Sequence, residues 1–148
     1  MTGVLNALYV RGDDLERVRA RYADEYDLDG LEGRVGAAFV AVEVSTSGDF
    51  ADDADLSADS EAFGEAILVQ LTSFGDDAFL YDHWRQGRLA RRLHYTPGAW
   101  TAVQGVPEPW EERAFLDSPR VGAAGGLNTE GVLAALIKHL GLPVIWPR

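Results

Sequence analysis

The chain contains no cysteine among its 148 residues. That excludes a disulfide framework and a thiolate zinc site, and it suits a reducing compartment. Lysine is almost missing too, since twelve of the thirteen bases are arginine, and histidine occurs only as His83, His94 and His139. These three form no H-x-H or H-x-x-x-H pair, so a metal centre would need ligands from distant elements and none is expected. No apolar run approaches the roughly 18 residues that span a bilayer. The start, "MTGVLNALYVRGDD", lacks the basic opening and long apolar run of a secretory signal. A G-x-S-x-G elbow and a G-x-x-x-x-G-K-[ST] loop are also missing. The expectation is a cytoplasmic protein with no cofactor, no metal and no membrane contact.

What is present reads as a folded globule. Hydrophobic residues make up 47% and aromatics 10%, enough to bury a core, and the length fits one domain spanning 1–148. The formal net charge is -11. Residues 1–60 hold 14 acids against 5 bases, whereas residues 61–148 hold 10 against 8. Such a balance repels nucleic-acid phosphates and anionic membranes and complements a basic protein partner.

Residues Val4–Arg11 form a short apolar strand candidate. A helix is predicted over Asp14–Tyr26, with Asp13 and Glu16 as a capping-box-like pair and Leu15, Val18, Tyr22 and Tyr26 on one face. Arg34–Ser45 reads as a buried strand. The acidic stretch 49–61 carries Asp49, Asp52, Asp53, Asp55, Asp59 and Glu61 but lacks the glycine a calcium loop needs at its sixth position. It reads as a solvated loop leading into a helix capped by Ser57. From Ile67 the period switches to two, and the runs around "QG" and "TPG" predict an antiparallel meander of about four strands. "VPEPWEERAFLDSPR" reads as an extended arm tethered by Trp110 and Phe115, because Pro107 and Pro109 deny it a central strand position. "VGAAGGLNTE" reads as a flexible lead-in, and a final amphipathic helix covers Thr129–Leu140, with His139 in its last turn. The predicted fold is α+β: the meander extended by the N-terminal strands, with the two main helices packed on one face.

The densest chemistry lies in "FLYDHWRQGRLARRLHYTPGAW" (Phe79–Trp100). With Gln86-Gly87 as a two-residue turn, regular pairing sets Asp82 opposite Arg91 and divides the hairpin into two faces. One is a core face with a structural Asp82–Arg91 ion pair. The other is basic and aromatic, presenting Tyr81, His83, Arg85, Arg88, Arg92 and His94 as candidate ligand- or partner-binding residues. Asp82 and His83, as sequence neighbours, point to opposite faces and cannot form a dyad in a regular strand. No catalytic residue is assigned.

The segments "ILVQLTS", "WRQGRLARRL" and "GAWTAVQGVPEPWE" resemble those of a bacterial family of uncharacterised domain proteins, over about 45 residues from Ile67 to Glu111. The resemblance implies a strand, an arginine-rich hairpin and a Pro-Glu-Pro arm as a structural signature, with no activity attached.

Three functions are compatible with these features. The leading one is a non-enzymatic acidic interaction module. The second is a small-molecule or nucleotide-binding domain, or a hydrolase without a recognisable motif, built on the basic-aromatic face. The third is single-stranded nucleic-acid binding by the hairpin, which the overall charge opposes.

Overall fold

The computed structural model describes residues 4–26, 28, 30–43, 52–72, 78–96, 99–114 and 129–143. Six strands form one antiparallel sheet: β1 (Val4–Arg11), β2 (Phe39–Glu43), β3 (Glu65–Thr72), β4 (Ala78–Arg85), β5 (Arg88–Thr96) and β6 (Ala99–Gly105). Their order across the sheet is β2-β1-β3-β4-β5-β6. The meander β3 to β6 and its extension by N-terminal strands agree with the sequence reading.

β1 sits between β2 and β3 and is covered on both sides, which is why it is apolar without alternation. Leu5, Ala7 and Tyr9 enter one core with Ile67, Val69, Tyr81 and Leu93, while Leu8 and Val10 enter another with Leu68 and Trp84. Helices α1 (Leu15–Tyr22) and α2 (Asp53–Phe63) cover the second core through Val18, Tyr22 and Leu56. Helices α3 (Pro109–Ala114) and α4 (Thr129–Leu140) cover the first through Trp110, Val132, Leu133 and Leu136. The two main helices therefore lie on opposite faces of the sheet, not together on one face. The cause is visible in the central strands, whose apolar residues of both parities need cover.

Local chemistry moves several boundaries. Asp14 rather than Asp13 caps α1, accepting from the Arg17 amide at 3.2 Å. A short 3-10 helix at Leu31–Arg34 delays β2 to Phe39. Asp52 and Asp55 close a reciprocal capping box, so α2 begins at Asp53 and draws half of the acidic stretch into its first turns, where carboxylates favour the helix dipole. Ser57, expected as the cap, instead donates to the Gly87 carbonyl at 2.8 Å, and Ser60 Oγ accepts from the Gly87 amide at 2.8 Å. The pair clips the hairpin tip to α2. The proline-flanked arm is not extended throughout. Pro109, with its preset φ, opens α3. Phe115 and the 121–128 lead-in lie outside the described residues.

The hairpin register also differs from regular pairing. Gln86 and Gly87 both take positive φ, at 49° and 81°, as a two-residue hairpin turn with right-handed strand twist requires. Arg85 faces Arg88 and Trp84 faces Leu89, but His83 faces Arg91, Asp82 faces Arg92 and Leu80 faces His94. Ala90 is the extra residue of a β-bulge. Gly105 receives it: at φ 88°, a Cβ there would stand 2.1 Å from the Ala90 carbonyl oxygen.

Candidate functional site

The bulge decides which side each base of β5 faces. Alternation then puts Tyr81, His83 and Arg91 on the α3/α4 side, and Asp82, Arg92 and His94 on the α1/α2 side. The six candidate residues do not form one face, and the expected Asp82–Arg91 pair does not form.

On the α3/α4 side His83 is fully buried between two carboxylates. Its Nδ1 lies 2.6 Å from Glu108 Oε2 and its Nε2 lies 2.7 Å from Glu65 Oε2. A carboxylate only accepts, so both ring nitrogens donate and the ring is an imidazolium. Burial alone would lower the His83 pKa, but the hydrogen bonds to Glu108 and Glu65 outweigh it and hold the pKa above its ordinary value. The hydrogen bond from His83 lowers the Glu65 pKa against its partial burial. Burial pushes Glu108 up, yet His83, Tyr81 and Trp110 together hold it below its ordinary value. Tyr81 Oη donates to Glu108 Oε1, and Trp110 Nε1 reaches the same oxygen at 3.0 Å. Arg11 closes the far end on Glu65 at 2.8 Å, and the exposed Arg85 lies 3.6 Å from Glu65 and 3.7 Å from Glu108.

Arg91 is the second buried base on this side. Its Nε and Nη2 grip Glu111 Oε2 and Oε1 at 2.9 and 2.6 Å, and Nη1 donates to the carbonyls of Gln104 and Gly105. Glu111 Oε2 also accepts from the Glu108 amide at 2.6 Å. Glu108 and Glu111, one turn apart at the start of α3, therefore bind the two buried bases of the hairpin, with Trp110 packed 4.9 Å from Tyr81 between them. This is the physical content of the Pro-Glu-Pro arm: it docks by paired charges around an aromatic anchor.

On the α1/α2 side Asp82 is the hub. Its Oδ1 accepts from Arg92 Nε at 2.8 Å and faces His94 Nε2 at 3.0 Å. Arg92 also reaches Asp53 at the start of α2. An aspartate–histidine pair does exist in the hairpin, then, but it joins Asp82 to His94 across strands rather than to His83.

Of the candidates, Tyr81, His83, Arg92 and His94 have internal partners, Arg85 stands at the solvent end of the His83 cluster, and Arg88 is exposed at the turn. Glu65, Glu108, Glu111 and Asp53 complete the networks and were not among the candidates. For Glu108 and Glu111 the one sequence signal is their i, i+3 spacing beside Trp110; Glu65 and Asp53 carry none.

Both ring nitrogens of the buried His83 are engaged by carboxylates, so the network ties β3, β4 and the start of α3 together. Its chemistry is that of a fastening. His139, exposed in the last turn of α4, adds no site. Among the described residues no group of three or more histidines and carboxylates is placed to hold a metal ion, and Asp49 of the acidic stretch lies outside them. No described helix is long and apolar enough to cross a membrane. No protein-family model, no curated protein and no solved structure matches this chain.

Proposed function

We propose that the chain is a non-enzymatic acidic interaction module whose partner is a basic protein. One observation carries the reading: among the described residues, most bases are used up internally. Arg11, Arg19, Arg21, Arg34, Arg85, Arg91 and Arg92 each hold a carboxylate, and Arg17 donates to the Ala62 carbonyl. Among the described basic side chains only Arg88 and Lys138 have no internal hydrogen bond or ion pair. Acids are in excess, and Asp13, Asp24, Glu25, Glu61 and Glu112 are exposed without an ion pair among the described residues. The field presented outward is therefore negative, which attracts a cationic surface and repels phosphates. The same observation weighs against nucleic-acid binding by the hairpin, where Arg91 and Arg92 already grip carboxylates and leave Arg85 and Arg88 as its exposed bases.

The test is affinity capture on the immobilised protein, in parallel with an Asp24→Asn/Glu25→Gln/Glu61→Gln variant. The expected result is retention of basic protein by the parent chain, weakening as ionic strength rises and reduced for the variant. Equal retention by both, or retention of nothing above a blank matrix, overturns the reading.

A further inference from the structure

Residues paired across strands share a face of the sheet, and one such row closes its α3/α4 side at the hairpin end: Phe39, Arg11, Glu65, Arg85 and Arg88, from β2 to β5. Three of the five are arginines, in a chain of net charge -11. Arg11 lies over the Phe39 ring and holds Glu65 at 2.8 Å, so its position is fixed from both sides. Arg85 and Arg88 are different. They flank the Gln86-Gly87 turn and face each other directly, a like-charge pairing that costs stability in an antiparallel sheet.

Their donors are also unfilled among the described residues. The Arg85 guanidinium stands 3.6 Å from Glu65 and 3.7 Å from Glu108, close enough for attraction but beyond a hydrogen bond, and its side chain is 55% exposed. Arg88 is exposed, with no hydrogen bond or ion pair among the described residues. The local charge is positive, because His83, Arg11, Arg85 and Arg88 meet only Glu65 and Glu108. Glu61, the other carboxylate near the turn, lies against Gly87 from α2, on the opposite face. The negative charge of the chain as a whole is screened beyond about 8–10 Å, whereas these groups act at contact.

We propose that Arg85 and Arg88 bind a phosphate group between them. Residues that close a two-residue hairpin turn have Cα atoms about 5.5 Å apart, so two arginines rooted there can converge on one tetrahedral group. A phosphate monoester carries about -1.5 to -2 at neutral pH and presents three acceptor oxygens. It balances the two unmatched bases and serves both guanidinium forks, whereas a carboxylate balances only one. The dianion turns the repulsion between the arginines into a bridge. Beyond this row the acidic surface repels a longer polyanion, so the site fits a single phosphate. That chemistry has two sources, a free phosphate or the phosphorylated side chain of another protein. The site is separate from the acidic surface offered to a basic partner, and neither reading depends on the other.

The experiment is an NMR titration of the full chain that reads the arginine Nε–Hε signals at constant ionic strength. The probes are inorganic phosphate, phosphoserine capped at both its amino and carboxyl groups, and acetate. The expected result is a saturable shift of the Arg85 and Arg88 signals with the phosphates, tighter than with acetate. Capped phosphoserine binding more tightly than inorganic phosphate assigns the protein source; inorganic phosphate binding as tightly or more tightly assigns the free ion. Arg88→Gln removes an exposed side chain without an internal partner, and its backbone spectrum checks that the fold is retained. In that variant the Arg85 response weakens by about tenfold or more, as loss of a charge-assisted contact implies. No saturable shift with either phosphate overturns the proposal. So does acetate binding equally well, or phosphate binding that Arg88→Gln leaves unchanged.

Discussion

His83 and Glu108 stand 25 residues apart in the chain and meet at 2.6 Å, in a site where the imidazole ring has no exposure at all. Glu65 holds the other ring nitrogen, so one buried cation ties β3, β4 and the start of α3 together. Removing the ring while leaving both carboxylates is the severe perturbation. For His83→Leu we expect a loss of about 3–5 kcal/mol, the range for breaking a buried ion pair by deleting one partner. Urea denaturation at constant m-value measures it, and a loss below about 1 kcal/mol contradicts the clamp.

The same groups set a pH window. His83 has its folded pKa raised above 6.5, so its contribution is complete below 6.5 and is lost as pH rises through the raised value. Glu65 and Glu108 have folded pKa values below 4.5, so theirs is complete above 4.5 and is lost as pH falls through the lowered values. The clamp contributes most between these limits. Thermal denaturation from acid to alkaline pH shows this as a difference between the parent chain and His83→Gln. That difference is largest in the window and shrinks at both ends; a pH-independent difference counts against the assignment.

Arg91 and Glu111 form a bidentate pair at 3% and 6% exposure. Arg91→Met alone strands a buried carboxylate and should cost about 3–5 kcal/mol. Adding Glu111→Leu removes the stranded charge and should recover most of that loss, because an apolar pair of similar volume is often neutral in such a site. A double-mutant cycle measures the coupling. Additive losses mean the two side chains act independently, contrary to the geometry.

Gly105 tests the bulge. With a Cβ 2.1 Å from the Ala90 carbonyl oxygen and a positive φ, Gly105→Ala must displace backbone on one strand or the other. We expect a cost of at least about 1–3 kcal/mol, typical of overpacking. Gly33→Ala, with open space and no positive φ, is the control and should change stability by less than about 1 kcal/mol.

Much of the architecture is legible in the residues. β1 has the bounds that its composition suggests, the Gln86-Gly87 turn is where the dipeptide places it, and α4 follows its apolar period to the residue. The placement of α1 and α4 on opposite faces is not legible in the helices themselves. The strands held the answer, since apolar residues of both parities in Val4–Arg11 and Ile67–Leu71 need cover on both sides. The site was legible only in its parts. Tyr81, His83, Arg92 and His94 have the right chemistry, but their grouping depends on Ala90, and nothing in "RLARRL" says which residue is the extra one. An alanine fits a regular strand as easily as a bulge; the glycine that accepts it comes fifteen positions later, on another strand. The acidic partners were hidden for a related reason. Glu65 and Glu108 lie far from His83 in sequence, and in an acidic chain no single glutamate stands out.

The central place of β1 has a consequence for how the chain is made. This strand leaves the ribosome first among the six, yet it belongs to the interior of the sheet, and Asn6 meets its partner Gln70 across 64 positions. Pairing with β2 is available earlier but leaves the other edge bare. Until β3 has been synthesised, a strand greasy on both sides waits with unfilled hydrogen bonds, a state prone to sticking to its neighbours. The dense negative charge of the first sixty residues is translated over the same interval. Mutual repulsion between nascent copies would then protect the chain during its most vulnerable seconds, a benefit of acidity that the folded form no longer reveals.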